Sequence, residues 1–342
     1  MDKGALRMSL RILSAADVSA TLSTLDCIRA VEGAFRAWAT GLAAPPAMLG
    51  VHVEEGGFHI KAATLAIGGR RYFAAKTNGN FPGNPDRRGL PCIQGVVVLC
   101  DADSGTPVAL LDSIRLTVLR TAAATAVAAK HLARPDATVL TLIGCGAQAE
   151  SHLVALAAVR GLQRILLVDR DRRRAERLAA ASEKRLGISV EVRGDLEEAV
   201  RTSDICVTCT TATRPFVTAD MALPGSFVAG VGADHPHKSE LHPELLASAK
   251  VVVDSLEQCA SSGDLHHAIE AGTMRASDVH AELGQVVAGL RPGRQGDHET
   301  IVFDSTGTAL QDVATAALVY ERSVGDGRGM EVEIANEASV GV

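Results

Sequence analysis

Between residues 137 and 211 the chain repeats one pattern: a short apolar run, then a stretch with helical spacing. ATVLTLIG leads into GCGAQAESHLVALAAV, RILLVDRD into RRRAERLAAASEKRLG, ISVEVRG into DLEEAVRTS, and DICVTCTT follows. Aliphatic runs without polar alternation are strands covered on both faces, and a helix after each returns the chain to a parallel neighbour. SFVAGVG and KVVVDS add two more strands. Residues 128–315 therefore read as an α/β unit, a Rossmann-type doubly wound parallel sheet.

The flanks have another texture. SAADVSATLSTLDCIRAVEGAFRAWATG reads as helix with an N-cap at Ser14. GVHVEEGGFHIKAATLAIGGRRYFAAKTNGNFPG and GLPCIQGVVVLCDADSGTPVALLDS alternate between glycine turns, as antiparallel hairpins do. LTVLRTAAATAVAAKHLA bridges into the parallel block, and GTALQDVATAALVYERS is a C-terminal helix expected to pack back on the first domain. With 342 residues, too many for one ordinary core, the expectation is two domains. One spans 128–315; the other is an α+β substrate and dimerisation domain, 1–127 with 316–342. The last dozen residues are expected to be loosely ordered.

Composition excludes several functions. Aromatics are 3% and the net charge is −6, which suits neither base stacking nor phosphate-backbone binding, so no nucleic-acid partner is expected. No 18-residue apolar window lacks charge, so no membrane span is expected, and the N-terminus shows no signal peptide. Seven cysteines scattered through apolar segments suit reduced thiols and a cytoplasmic location. Cys206 and Cys209 form a CxxC inside a strand, where positions three apart face opposite ways, so neither redox nor zinc chemistry is expected there.

Three groups of residues carry the chemistry. Gly144, Gly146, Ala147, Gln148 and Ala149 form a GxGxxA turn between a strand and a helix, where backbone N–H groups can cradle a diphosphate. Asp169 ends the next strand and suits a ribose diol, which points to NAD; Arg170, Arg172, Arg173 and Arg174 follow at once and keep NADP possible. The second group is GVGADHPHKSELHP (230–243), the exit of a sheet strand, where Asp234 and Lys238 would face the nicotinamide and Asp234 would exchange a proton in a dry cleft. His235 and His237 offer two metal ligands without an evident third, so no metal is expected. The third group is cationic: Lys61 and Lys76 in apolar strands, and Arg120 in an apolar helix. A cation so placed needs an anion, and a substrate carboxylate would serve.

Taken together, LRTAAATAVAAKHLA, LIGCGAQAE, VGADHPHKSELHPELL and VFDSTGTALQD resemble the ornithine cyclodeaminase/μ-crystallin family over about residues 10–325. The resemblance implies that Lys76 and Arg120 bind a substrate carboxylate, that Asp234 acts on the reacting amine with Lys238 beside it, and that the protein is a homodimer. It also implies that Thr121, Thr210, Val231, Ser305 and Gly307 join the glycine turn and Arg170 around the dinucleotide. Met48 stands where the family has a further carboxylate-binding arginine, and Cys92 replaces a polar residue beside the substrate. Lys61 is then a candidate to supply the missing charge. The expected activity is NAD(P)-dependent hydride exchange at the Cα–N bond of a small amino or imino acid. Cyclodeamination of a diamino acid such as ornithine stands first, cyclic-imine reduction or amino-acid dehydrogenation second. A μ-crystallin-like binding protein is the non-enzymatic alternative, and a metal enzyme using His235, His237 and one of His266 or His267 is a further rival.

Overall fold

A computed structural model describes residues 7–336. The described residues begin with β1 (Arg7–Leu13), α1 (Ala15–Thr21) and α2 (Thr24–Ala39). The single N-terminal helix expected from the sequence is two, because Ser23 caps a new start by accepting the Asp26 N–H, as Ser14 does for Asp17. A meander follows: β2 (Ala47–Val53), β3 (Gly56–Ile67) and β4 (Arg70–Asn80). Then come α3 (Asn84–Arg88), β5 (Ile93–Asp101), β6 (Pro107–Asp112) and α4 (Ser113–Leu132).

The alternating block begins with β7 (Val139–Ile143), α5 (Ala149–Ala157), β8 (Arg164–Val168), α6 (Arg172–Leu186), β9 (Ser189–Val192) and α7 (Leu196–Arg201). It continues through β10 (Ile205–Thr208), β11 (Thr213–Val217), β12 (Phe227–Gly230), β13 (Ser239–Leu241), α8 (Pro243–Ser248) and β14 (Lys250–Val253). It ends with α9 (Leu256–Ser262), α10 (Asp264–Glu270), β15 (Ala281–Glu282), α11 (Leu283–Val287) and β16 (Ile301–Asp304). The chain closes with α12 (Ala309–Asp326) and β17 (Met330–Asn336).

Two compact units result. The first holds residues 1–120 and 308–342, the second 121–307. The divisions thus fall at Arg120/Thr121 and Gly307/Thr308, not after 127 and 315 as the change of texture suggested. The pattern marks where strands and helices alternate, whereas compactness depends on which way each helix residue packs.

In the first unit seven strands lie in the order β17-β1-β6-β5-β4-β3-β2. All neighbours are antiparallel except the β1–β6 pair. α12 packs on α2, β3 and β4. β17 corrects the expectation of a loose C-terminus: residues 330–336 pair with β1, and the rest of that stretch lies outside the described residues.

In the second unit eight parallel strands run β15-β14-β16-β12-β10-β7-β8-β9. The unit is a Rossmann-type doubly wound sheet, built on buried strands such as ILL in β8 and VVV in β14. From β7 the chain winds outward through β8 to β9, then crosses back to β10 and on to β12 on the other side, so the topological switch point lies between the exits of β7 and β10. No helix among the described residues is long and apolar enough to cross a membrane.

Candidate active site

The exit of β7 is shaped by Gly144. Its φ is +96°, and a Cβ there would lie 2.8 Å from the Cys209 carbonyl oxygen and 2.9 Å from Thr210 Cγ2. Only glycine takes this backbone at this distance. Beyond it the chain opens: a Cβ on Gly146 would meet nothing within 4 Å, and Gly146 and Ala147 are exposed. The N–H groups of Gly146, Ala147 and Gln148 donate to no acceptor among the described residues, while the Ala149 N–H returns to the Gly146 carbonyl. Three free donors ahead of α5 fit a diphosphate. The buried Gln148 Oε1 also lacks a partner among the described residues and would be satisfied by a hydroxyl donor.

Asp169 stands just past β8, and each of its oxygens accepts a backbone N–H. Oδ2 takes Cys145 at 2.6 Å and Oδ1 takes Asp171 at 2.8 Å. The carboxylate is therefore fixed beside the glycine turn with lone pairs left for a ribose diol. Of the basic residues after it, Arg170 is exposed and Arg172 is paired with Glu176 at 2.8 Å.

Sequence reasoning missed the support beneath this turn. His152 is fully buried on α5, its Nδ1 2.9 Å from the Gln148 carbonyl and its Nε2 3.1 Å from Thr125 Oγ1. A carbonyl only accepts, so Nδ1 carries the proton, and the Thr125 hydroxyl donates to Nε2. Burial lowers the imidazole to about 4, so it is neutral and serves as a fixed tether.

The other expected dinucleotide residues lie on α4 and just past the strands of the sheet. Ser305 donates its hydroxyl to Asp254 at 2.9 Å, and the Gly307 N–H reaches the same carboxylate at 2.6 Å. Both are buried. Thr121 and Val231 are buried; Thr210 is half-buried, just past β10 at the switch point.

At the exit of β12, Asp234 Oδ1 meets Lys238 Nζ at 2.6 Å. The Asp234 side chain is 50% exposed, a wetter setting than the dry cleft expected. The rings of His235 and His237 lie 5.2 Å apart. Among the described residues no group of three or more His, Cys, Asp or Glu is arranged to hold a metal. Cys206 and Cys209 are free, and burial pushes the Cys206 thiol up to about 12, where it is inert.

The cations lie in the first unit. Lys61 on β3 pairs across the strands with Lys76 on β4 and with Met48 on β2. The buried Lys76 Nζ lies 3.0 Å from Asp312 Oδ1, 2.8 Å from Oδ2 and 3.3 Å from Thr117 Oγ1. Arg120 Nε donates to the same Oδ1 at 3.0 Å, and Nη1 to Gln311 Oε1 at 2.9 Å. Asp312 was not anticipated, although an acid in the apolar helix ALQDVATAALV poses the same question as Arg120. Burial pushes its carboxyl up, but Lys76 and Arg120 together outweigh this and hold it below the usual range. Burial, then the Arg120 charge, lowers the Lys76 ammonium to about 7. Lys61 adds to both effects, so three cations surround one carboxylate. The buried Gln311 Nε2 has no acceptor among the described residues, a further donor for an incoming anion. Cys92 donates to Asn80 Oδ1 at 3.3 Å. Two cavities of about 420 and 430 Å³ in this unit are lined by neither Lys61, Lys76 nor Arg120, so cavity size does not mark this receptor.

A sequence model of the ornithine cyclodeaminase/mu-crystallin family matches residues 8–327. The chain belongs to that family. Alanine dehydrogenase of Archaeoglobus fulgidus is 38% identical over 326 residues, covering 95% of this chain and 99% of its own. A solved archaeal alanine dehydrogenase dimer with bound NAD superposes with a TM-score of 0.91 at 38% identity, over 96% of this chain and all of the other. The Thermococcus litoralis Δ1-pyrroline-2-carboxylate reductase, solved with NADH and L-proline, gives 0.90 at 32% identity, over 94% of this chain and all of its own. The protein is an enzyme of this family.

Proposed function

We propose that the protein uses NAD to exchange hydride at the Cα–N bond of a small amino or imino acid. The observation that carries this reading is in the second unit. The exits of β7 and β10 form a nucleotide-ready switch point, and the exit of the adjacent strand, β12, carries the Asp234–Lys238 pair. Bound NAD supplies the hydride acceptor or donor. Gly146, Ala147 and Gln148 offer their N–H groups to its diphosphate, and Asp169 accepts from its adenosine ribose. A 2′-phosphate would face that carboxylate, which favours NAD over NADP.

Lys76 and Arg120, braced on Asp312, receive the substrate carboxylate with Lys61 beside them. Asp234 takes the amine proton as the amino acid becomes imine and returns it in reduction. Lys238, paired with Asp234, holds that carboxylate in place. The same residues serve a cyclodeaminase, in which the distal amine of a diamino acid attacks the imine, ammonia leaves and the hydride is returned. A third cation at Lys61 suits the distal ammonium of such a substrate poorly, so net oxidation or reduction is the preferred outcome. The identities to alanine dehydrogenase and pyrroline-carboxylate reductase support the same preference.

The test follows NADH absorbance and ammonia together, with NAD or NADP and alanine, proline, ornithine or lysine. Ammonia or imine with equal NADH supports the reading. Ammonia from a diamino acid without NADH selects cyclodeamination. Silence in both directions, with pyrroline-2-carboxylate and NADH included, rejects it. Asp234→Asn is expected to lower kcat about 100-fold or more, the usual worth of a general acid–base. We further place the enzyme in the cytoplasm, where its free thiols stay reduced.

A further inference from the structure

Glu240, on β13, is fully buried, and its carboxylate points at the ends of two other strands. Oε1 accepts the Thr210 N–H at 2.6 Å, just past β10. Oε2 accepts the Gly232 N–H at 2.7 Å, just past β12, and the Thr208 hydroxyl at 2.7 Å. A buried carboxylate is costly unless donors surround it, and these three converge on one group. The approach is close: a Cβ on Gly232 would sit 2.6 Å from Glu240 Oε1 and 2.3 Å from the Thr210 carbonyl oxygen. Glu240 is itself held, since its N–H donates to the buried Asp264 at 2.8 Å.

The Gly232–Glu240 bond closes residues 232–240 into a ring, and Asp234 and Lys238 lie on that ring. Inside it the Asp234 N–H donates to the Gly232 carbonyl at 3.0 Å, and Lys238 N–H to His235 at 2.9 Å. We infer that Glu240 is the positioning residue for the reaction: it holds the ring that carries Asp234 and fastens it to the exit of β10. This rests on the reading of Asp234 as the proton-exchanging group. Glu240 touches neither substrate nor dinucleotide in this account; it acts through Asp234. Two of its three partners are backbone N–H groups, which an ionised carboxylate accepts and a side-chain amide matches only in part.

Glu240→Gln keeps the shape but turns one acceptor into an NH2 that faces a donor. Two measurements test the inference. Hydrogen exchange is expected to quicken at least tenfold in segments 208–212 and 230–240, with β7 and β8 unchanged. Turnover, on whichever amino or imino acid the panel above identifies, is expected to fall about 10- to 100-fold in kcat. In an Asp234→Asn background the same change should cost less than about twofold, because the effects share one route. Thr208→Val, which leaves both backbone bonds, should show the same dependence with a smaller loss, and it decides the matter if Glu240→Gln does not fold. Equal losses in both backgrounds, or unaltered exchange in the two segments, would overturn the inference. If Asp234→Asn itself turns over normally, the role given to Asp234 is what fails, and the exchange data still judge whether Glu240 holds the ring.

Discussion

Lys76 and Arg120 depend on Asp312, because two buried cations share its carboxylate. Asp312→Asn leaves both without their counter-charge and is expected to lower stability by about 3–5 kcal/mol, read as a fall in Tm by calorimetry. Stability unchanged within about 0.5 kcal/mol would show that the cations find other anions. Lys76 also sets a pH dependence. Its ammonium is lowered to about 7, so it is charged below that pH and neutral above it. The charged form binds the carboxylate, so kcat/KM is expected to fall as pH rises through about 7 in the free enzyme. Bound substrate raises the Lys76 pKa, so kcat should hold to higher pH. In Lys76→Arg, whose guanidinium does not titrate, the alkaline limb near 7 should vanish. A limb at the same pH in that variant would assign it elsewhere.

Among the elements, the glycine turn between β7 and α5 is the least replaceable. Gly144→Ala puts a Cβ 2.8 Å from the Cys209 carbonyl oxygen at a φ of +96°. We expect a loss of about 2 kcal/mol and a Tm lower by about 4–8 °C, with weaker NADH binding by fluorescence titration. Retained Tm and affinity would mean that the turn is not fixed as described. Six strands of the second unit, β7, β8, β9, β10, β12 and β14, were legible because buried parallel strands read as apolar runs, whereas β11, β13, β15 and β16 were not read from the sequence. β1 and β17 were less so: RMSLRIL and MEVEIAN mix charges with apolar residues, and their partnership joins the two ends of the chain, which no local pattern reports. The site shows the same division. The glycine turn, Asp169, Asp234, Lys76 and Arg120 announce themselves by residue type in an apolar setting. Asp312, His152 and Glu240 work through partners remote in sequence, and only the fold pairs them.

At the scale of the whole molecule, a homodimer is expected. β2 is exposed along its entire length and carries Met48, Leu49, Val51 and Val53; Phe58, Ile93 and Val96 on β3 and β5 are also exposed. So much apolar surface on one sheet of a monomer marks an interaction face. Light scattering should give twice the mass of the 35.6 kDa chain, and Leu49→Glu with Val51→Glu should give a monomer. A monomeric wild type would reject this. The central claim, hydride exchange at Cα, is tested most directly with C2-deuterated L-alanine and L-proline in the presence of NAD, analysing the NADH by mass spectrometry. Deuterium is expected on the nicotinamide, one atom per NADH formed. NADH that forms without deuterium, or deuterium lost to water during turnover, would contradict it.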